Sequence, residues 1–142
     1  MAIANAKVAY QEYKKIIQGD RWKALSAKGA NVQRLLWAST STKNAAYSDV
    51  MYVDELIGPN TVNTLPPNTM DACADHCDVE NRVETNVEEA YKVMESLKDA
   101  DVDIDIDGVM DELLTEGIDK FVKPFTSLLG SLEDKVKRLA PV

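Results

Sequence analysis

Apolar residues recur in steps of four and three from Ile3 through Ala6, Tyr10 and Tyr13 to Ile17, the period of an amphipathic helix that buries one face. Gly19 ends that pattern. A short second helix is predicted from Arg21 to Lys28, with Asp20 as its N-cap and Gly29 as its stop. The period then changes: Arg34 to Ala38 and Thr61 to Leu65 read as short strands, each running into a polar loop. Between them Tyr47, Val50, Met51, Asp54 and Ile57 form a helical stripe over Tyr47 to Ile57, closed by Gly58-Pro59. Two strands joined through a helix must lie parallel, because a hairpin cannot make that connection.

Beyond Leu65, Pro66 and Pro67 cannot extend a central strand and are expected to turn the chain into a helix starting near Asn68 or Thr69. Thr85-x-x-Glu88 has the form of a capping box that opens a helix, with Val87, Ala90, Tyr91, Met94 and Leu97 on its inner face. Two further helices are expected, Gly108 to Glu116 and Ile118 to Leu139, the second bent near Pro124. The pattern therefore predicts an α/β chain that is predominantly helical, with about two parallel strands and six or seven helices. Two parallel strands leave both outer edges open, so these edges should pair with another chain or lie under helices.

Length and charge narrow the functions. The 142 residues fit one ordinary domain, and 45% hydrophobic with 28% charged residues is a globular balance. A net charge of −8 argues against nucleic acid, whose phosphates it would repel, but not against a small phosphorylated ligand held by one local cation. No apolar run approaches the ~20 residues needed to span a bilayer, and no secretory signal follows Met1, so no membrane role and a reducing, cytoplasmic compartment are expected. Cys73 and Cys77 are too few for a disulfide scaffold and should be reduced.

The wording Trp37-Ala-Ser-Thr-Ser-Thr-Lys-Asn44, followed by Ala46-Tyr-Ser-Asp-Val-Met-Tyr-Val-Asp-Glu-Leu-Ile-Gly-Pro-Asn-Thr-Val-Asn-Thr-Leu-Pro-Pro67, resembles the transaldolase family in its longer plant, cyanobacterial and actinobacterial branch. Ala4 to Tyr10 resembles that family's helix before its seventh strand. Gly117 to Phe121, with Phe125 to Leu129, resembles its terminal helix. The resemblance implies the C-terminal part of a (β/α)8 barrel, so that residues 1–142 form a single incomplete domain. A complete barrel needs about 250 residues. The family moves a dihydroxyacetone unit between sugar phosphates through a lysine Schiff base, without metal or organic cofactor. Its Schiff-base lysine belongs to the fourth strand, so no catalytic lysine is expected here.

The loop after the first strand is the strongest candidate site, because in β/α barrels such loops line the mouth. Lys43-Asn44 resembles the family's Arg-Asn pair, whose cation holds the sugar phosphate, and Ser39 resembles its active-site serine. Lysine here offers a point charge in place of the arginine fork. Asn81-Arg82 resembles a segment supplying further phosphate contacts, making Arg82 the second candidate cation. Thr40, Asn44, Asn63 and Thr64 could line the mouth. The competing reading is that these hydroxyls and amides satisfy turns and backbone, with Arg82 a solvated loop residue. Lys43 itself lacks the desolvated pocket and adjacent proton-transfer group that a Schiff-base amine needs.

Two other constellations are weaker. Asp101-Val-Asp103-Ile-Asp105-Ile-Asp107-Gly108 suggests a calcium loop, yet a frame from Asp103 puts Leu114 at the twelfth position and a frame from Asp101 puts Ile106 at the sixth. A loop of solvated aspartates with Val102, Ile104 and Ile106 buried, ending in an acidic helix start, explains it better. Cys73, His76 and Cys77 lack the fourth ligand of a zinc site. Trp22 and Trp37 are expected in the core, and an apolar surface is expected where missing strands would pack. Two functions compete: part of a transaldolase, inactive alone and completed by a companion polypeptide or a homo-oligomer, or a non-catalytic assembly module self-associating through its open strand edges. The cytoplasmic expectation becomes plastid for a plant source.

Overall fold

The computed structural model describes residues 1–99, 101 and 103–140. They divide into two compact units, Met1–Ser96 and Leu97–Val142. Among the described residues there are six α-helices, one 3-10 turn and one two-stranded sheet. None of the helices is long and apolar enough to cross a membrane.

In the first unit, α1 (Ala2–Gln18) and α2 (Asp20–Ser26) precede β1 (Leu35–Trp37), and α3 (Met51–Leu56) leads to β2 (Thr61–Asn63). The strands pair in parallel, with Leu35 opposite Thr61 and Trp37 opposite Asn63. The crossover expected from the strand–helix–strand order is present. α4 (Pro67–His76) and α5 (Val87–Glu95) follow, and the 3-10 turn is Ser96–Lys98.

The predicted stripe of α1 is its packed face. Tyr10 and Tyr13 are buried in one cluster with Trp37, Leu56 and Val83, and Ile3, Ala6 and Ile17 pack against it. Burying each such side chain contributes about 1.5–3 kcal/mol. The Trp37 indole donates to the Leu56 carbonyl at 3.1 Å, and Tyr10 Oη donates to the Pro59 carbonyl at 3.0 Å, whereas Tyr13 Oη and Gln11 Nε2 are buried without a hydrogen-bond partner among the described residues. Lys7, which sequence reasoning did not place inside, is buried and meets Glu55 at 2.8 Å. An ion pair with one end so far from water is costly to break, because the remaining charge would be stranded.

Several local expectations are corrected. α3 starts at Met51 rather than Tyr47, because Asn44 Oδ1 accepts from the Ala46 amide at 2.9 Å and Thr42 Oγ1 donates to the Ser48 carbonyl at 3.1 Å, holding the approach in turns. Tyr47 is consequently exposed. α4 begins on Pro67 itself, a proline in the first helical turn where its missing N–H is not needed. Thr85 makes no capping box: its hydroxyl donates back to the Arg82 carbonyl at 2.8 Å, and Asn86, left-handed at φ 52°, immediately precedes α5. Trp22 is half-buried, on a helix with no buried residue.

In the second unit the two expected helices are one, α6 (Ile106–Leu139), which continues through Gly117 and Pro124. The Glu116–Lys120 pair at 2.6 Å straddles Gly117, and the proline forfeits one backbone bond without ending the helix. The aspartate run ends in a cap: Asp105 accepts from the Gly108 amide at 3.2 Å. Ile104 is exposed rather than buried, Ile106 is half-buried, and Val102 lies outside the described residues.

Gly58 closes the turn before β2 against Val83, which is fully buried. A Cβ there would lie 2.2 Å from Val83 Cγ1, and a β-branched side chain without free space cannot turn aside. Gly58→Ala is therefore expected to destabilise the protein by about 1–3 kcal/mol in urea unfolding; an unchanged midpoint would show that Val83 is not held as described.

Candidate functional site

The site begins at the end of β1. The Trp37 carbonyl accepts from both the amide and the hydroxyl of Thr64, at 3.0 and 3.1 Å, so the two strand ends are tied together. Ser39 then takes a left-handed conformation at φ 58°, a region that non-glycine residues enter only when neighbours hold them there. The neighbour is Thr40, only 3% exposed, whose hydroxyl donates to Asn63 Oδ1 at 2.8 Å. Asn63 is the last residue of β2, so this bond spans the two strand ends.

The loop 39–44 and Trp37 border an open cavity of about 500 Å³, lined also by Ala2 and Ala6 of α1 and by Tyr52 and Leu56 of α3. Ser39 and Lys43 are exposed on its rim, and Thr40 is inside. Lys43 also borders a second cavity of about 530 Å³ with Tyr47, Ser48 and Asp49. Among the described residues Lys43 forms no ion pair. Such an arrangement offers a solvated cation and a hydroxyl at the edge of a pocket with an aromatic and aliphatic floor, which suits an anionic group on a small polar ligand.

The structure brings Ser39, Thr40, Lys43 and Asn44 around one cavity, with Asn63 bonded to Thr40. Asn44 spends its side-chain oxygen on the Ala46 turn, and Thr64 spends its hydroxyl on Trp37. Arg82 is not among the cavity residues. Its guanidinium pairs with Asp78 and lies 3.7 Å from Glu80, while its amide and that of Val83 both donate to the Ile57 carbonyl at 3.0 Å.

Around α4 the metal-capable atoms are otherwise occupied. Burial pushes the Cys77 thiol up to about 12, and Cys73 and Asp54 act in the same direction, so it stays protonated and unreactive. His76, with Nε2 2.9 Å from Asp49 and Nδ1 3.1 Å from Asp75, links the end of α4 to the segment before α3. Sequence spacing could not have found this link, since Asp49 lies in a turn 27 positions away. Among the described residues no group of three or more His, Cys, Asp or Glu side chains is placed to hold a metal ion.

Comparison with known proteins gives one consistent result. Residues 1–132 match the transaldolase/fructose-6-phosphate aldolase family model. A transaldolase of Trichodesmium erythraeum is 80% identical over 142 residues, taking in 100% of this chain and 37% of that protein. Transaldolase 2 of a Nostoc species is 75% identical over the same coverage, and Transaldolase 2 of Streptomyces coelicolor is 45% identical over 99% of this chain and 37% of its own length. The chain thus spans about 37% of the length of these curated relatives.

The His76 link has a defined pH window. The hydrogen bond to Asp49, then that to Asp75, raises the imidazole above its ordinary value of about 6.5, and the same bond lowers Asp49. Only the imidazolium can donate from both nitrogens. The contribution of His76 is complete below about pH 6.5 and fades as pH rises through its raised folded value. That of Asp49 is present above its unfolded value of about 3.9 and is lost as pH falls through its depressed one. An NMR titration of His76 is expected to give a midpoint above 6.5 that falls back in Asp49→Asn; an unshifted midpoint in the unaltered protein would exclude the link.

Proposed function

Because the chain belongs to the transaldolase/fructose-6-phosphate aldolase family, we propose that it is the C-terminal, phosphate-holding part of a transaldolase of the pentose phosphate pathway. The whole protein transfers a dihydroxyacetone unit from a ketose phosphate to an aldose phosphate through a lysine Schiff base. That lysine is supplied from outside residues 1–142, and no metal or organic cofactor takes part. The observation that carries the reading is Lys43, without a carboxylate partner among the described residues, on the rim of the cavity at the end of β1.

In this reading Lys43 neutralises the sugar phosphate as a point charge, and Ser39, turned outward by its left-handed backbone, donates a hydroxyl beside it. Thr40, Asn44 and Asn63 line and hold the mouth. Arg82 can add a second cation only by leaving Asp78, so it ranks behind Lys43. The isolated chain is inactive, and a companion polypeptide or further copies complete the barrel, in the cytoplasm or, for a plant source, the plastid. A second reading, a non-catalytic module that self-associates through its strand edges, draws support from Leu36, which is 54% exposed on β1.

Two measurements test the proposal. Titration with fructose 6-phosphate followed by NMR is expected to shift the amides of Ser39 and Lys43, and Lys43→Ala should weaken binding by about tenfold or more, the scale of one charge-assisted hydrogen bond. Equal affinity in that variant would remove Lys43 from the site. Borohydride reduction of the folded chain with the same sugar should leave the intact mass unchanged; a covalent sugar adduct would place a Schiff-base amine within these residues.

A further inference from the structure

His76 does more than tie two segments together, because the carboxylate it holds shares a cavity with the candidate site's cation. Asp49 and Lys43 both border the cavity of about 530 Å³, along with Thr42, Tyr47 and Ser48. Opposite charges lining one cavity attract, and the flexible stem of a lysine lets its ammonium seek the carboxylate. Here the two are kept apart. Asp49 Oδ1 lies 2.9 Å from His76 Nε2, and Lys43 forms no ion pair among the described residues. All of these residues belong to the first unit, Met1–Ser96.

The backbone on both sides of Asp49 is fixed, which leaves the side chain as the part that moves. The Ser48 carbonyl accepts from the Thr42 hydroxyl at 3.1 Å and from the Met51 amide at 3.2 Å. Val50 is buried, and its carbonyl accepts from the Asp54 amide at 3.0 Å. The carboxylate therefore has two cations to choose from, the imidazolium at the end of α4 and the ammonium of Lys43. His76 also meets Asp75 of its own helix, with Nδ1 at 3.1 Å. Asp49 and Asp75 are the charged groups that bear on the ring. The other charges near this end of α4 are engaged elsewhere: Asp54 of α3 accepts from the Asp78 amide at 3.1 Å, Arg82 pairs with Asp78, and the Cys77 thiol stays protonated. Once neutral, the imidazole keeps one N–H for two carboxylates, and the charge of Asp49 is no longer matched.

We propose that His76 is a positioning residue for the phosphate site: by holding Asp49 it keeps that carboxylate from pairing with Lys43, so that Lys43 stays available to a sugar phosphate. This role deepens, and rests on, the assignment of Lys43 as the phosphate cation. Its consequence is a pH dependence opposite in sign to that of the ligand. A phosphate monoester gains its second charge near pH 6, so binding through the phosphate alone strengthens up to about pH 7 and then levels off. The bonds to Asp49 and Asp75 keep the imidazole charged beyond its ordinary value of about 6.5. As pH rises through that raised value Asp49 is released toward Lys43, and binding weakens.

Two readouts on the full chain test this role. Fructose 6-phosphate binding, followed by NMR through the Ser39 and Lys43 amides from about pH 6 to 9, is expected to weaken about two- to fivefold above the His76 midpoint, the scale of an exposed ion pair. His76→Ala should bind at the weaker level throughout, whereas Asp49→Asn should bind tightly with no loss on the alkaline side. A Lys43-dependent affinity with the same alkaline limb in Asp49→Asn as in the unaltered chain overturns the role of His76 and leaves the phosphate site standing. The second readout needs no ligand and follows the Asp49 carboxyl by carbon-13 NMR. In the unaltered chain Lys43→Ala should leave its midpoint in place, because His76 holds the carboxylate. In His76→Ala the midpoint should depend on Lys43 and rise when Lys43→Ala is added. A midpoint in His76→Ala that ignores Lys43 overturns the proposal whether or not the sugar binds. If the sugar binds at no pH while Asp49 does pass to Lys43 in His76→Ala, the phosphate reading fails and the hold of His76 on Asp49 is still supported.

Discussion

Trp37 is the constraint on which the candidate site depends. Its indole is buried in the core and bonded to the Leu56 carbonyl, and its own carbonyl accepts twice from Thr64. One residue thus fixes the end of β1 to the end of α3 and to the end of β2. A polar loop leaving so well-anchored a point can hold an unfavourable backbone conformation, and Ser39 does so at once. The cost of that left-handed turn is offset three residues away from the anchor, where Thr40 exchanges water for Asn63. Packing in the core and presentation at the rim are therefore consecutive links of one short chain of contacts.

The parts of the fold that periodicity controls were legible in the sequence. The stripe from Ile3 to Ile17 maps onto α1 and its buried face because an amphipathic helix writes its contacts at fixed spacing. The short strands were found within a residue or two, since β-branched and aromatic runs bounded by turn residues leave few alternatives. Where side chains bond locally, the sequence was ambiguous. Thr85 has the right neighbours for a capping box, yet its hydroxyl satisfies the carbonyl behind it, a choice that depends on the backbone angle and not on residue type. Gly117 and Pro124 suggested breaks that α6 does not make, because side-chain pairing and continued apolar spacing outweigh one weak position each.

Contacts between residues distant in sequence were the least visible. Nothing around Lys7 announces that it will be buried against Glu55, 48 positions away, and nothing around His76 announces Asp49. The loop 39–44 was legible as a candidate site through its resemblance to a family, while the Thr40–Asn63 bond that shapes it was not. Thr40 lies in the loop beyond β1 and Asn63 at the end of β2, and their meeting follows from the parallel register that sets Trp37 opposite Asn63.

The two candidate cations show how an acidic protein can still present a positive site. Arg82 stands among Asp78, Glu80 and Asp54, whose charges hold its guanidinium against the pull of desolvation. An anion arriving there would have to compete with carboxylates already in place. Lys43 is on an exposed loop and forms no ion pair among the described residues, although Asp49 borders the same second cavity. Replacing water by a phosphate costs far less than breaking an ion pair, since the water is returned to bulk and no carboxylate is left without a partner. With a net charge of −8 the whole molecule repels anions at long range, but beyond roughly 8 Å physiological salt screens that repulsion. Within that distance a lysine with no ion pair among the described residues is more available to an anion than an arginine already held by Asp78, which makes Lys43 the better candidate of the two.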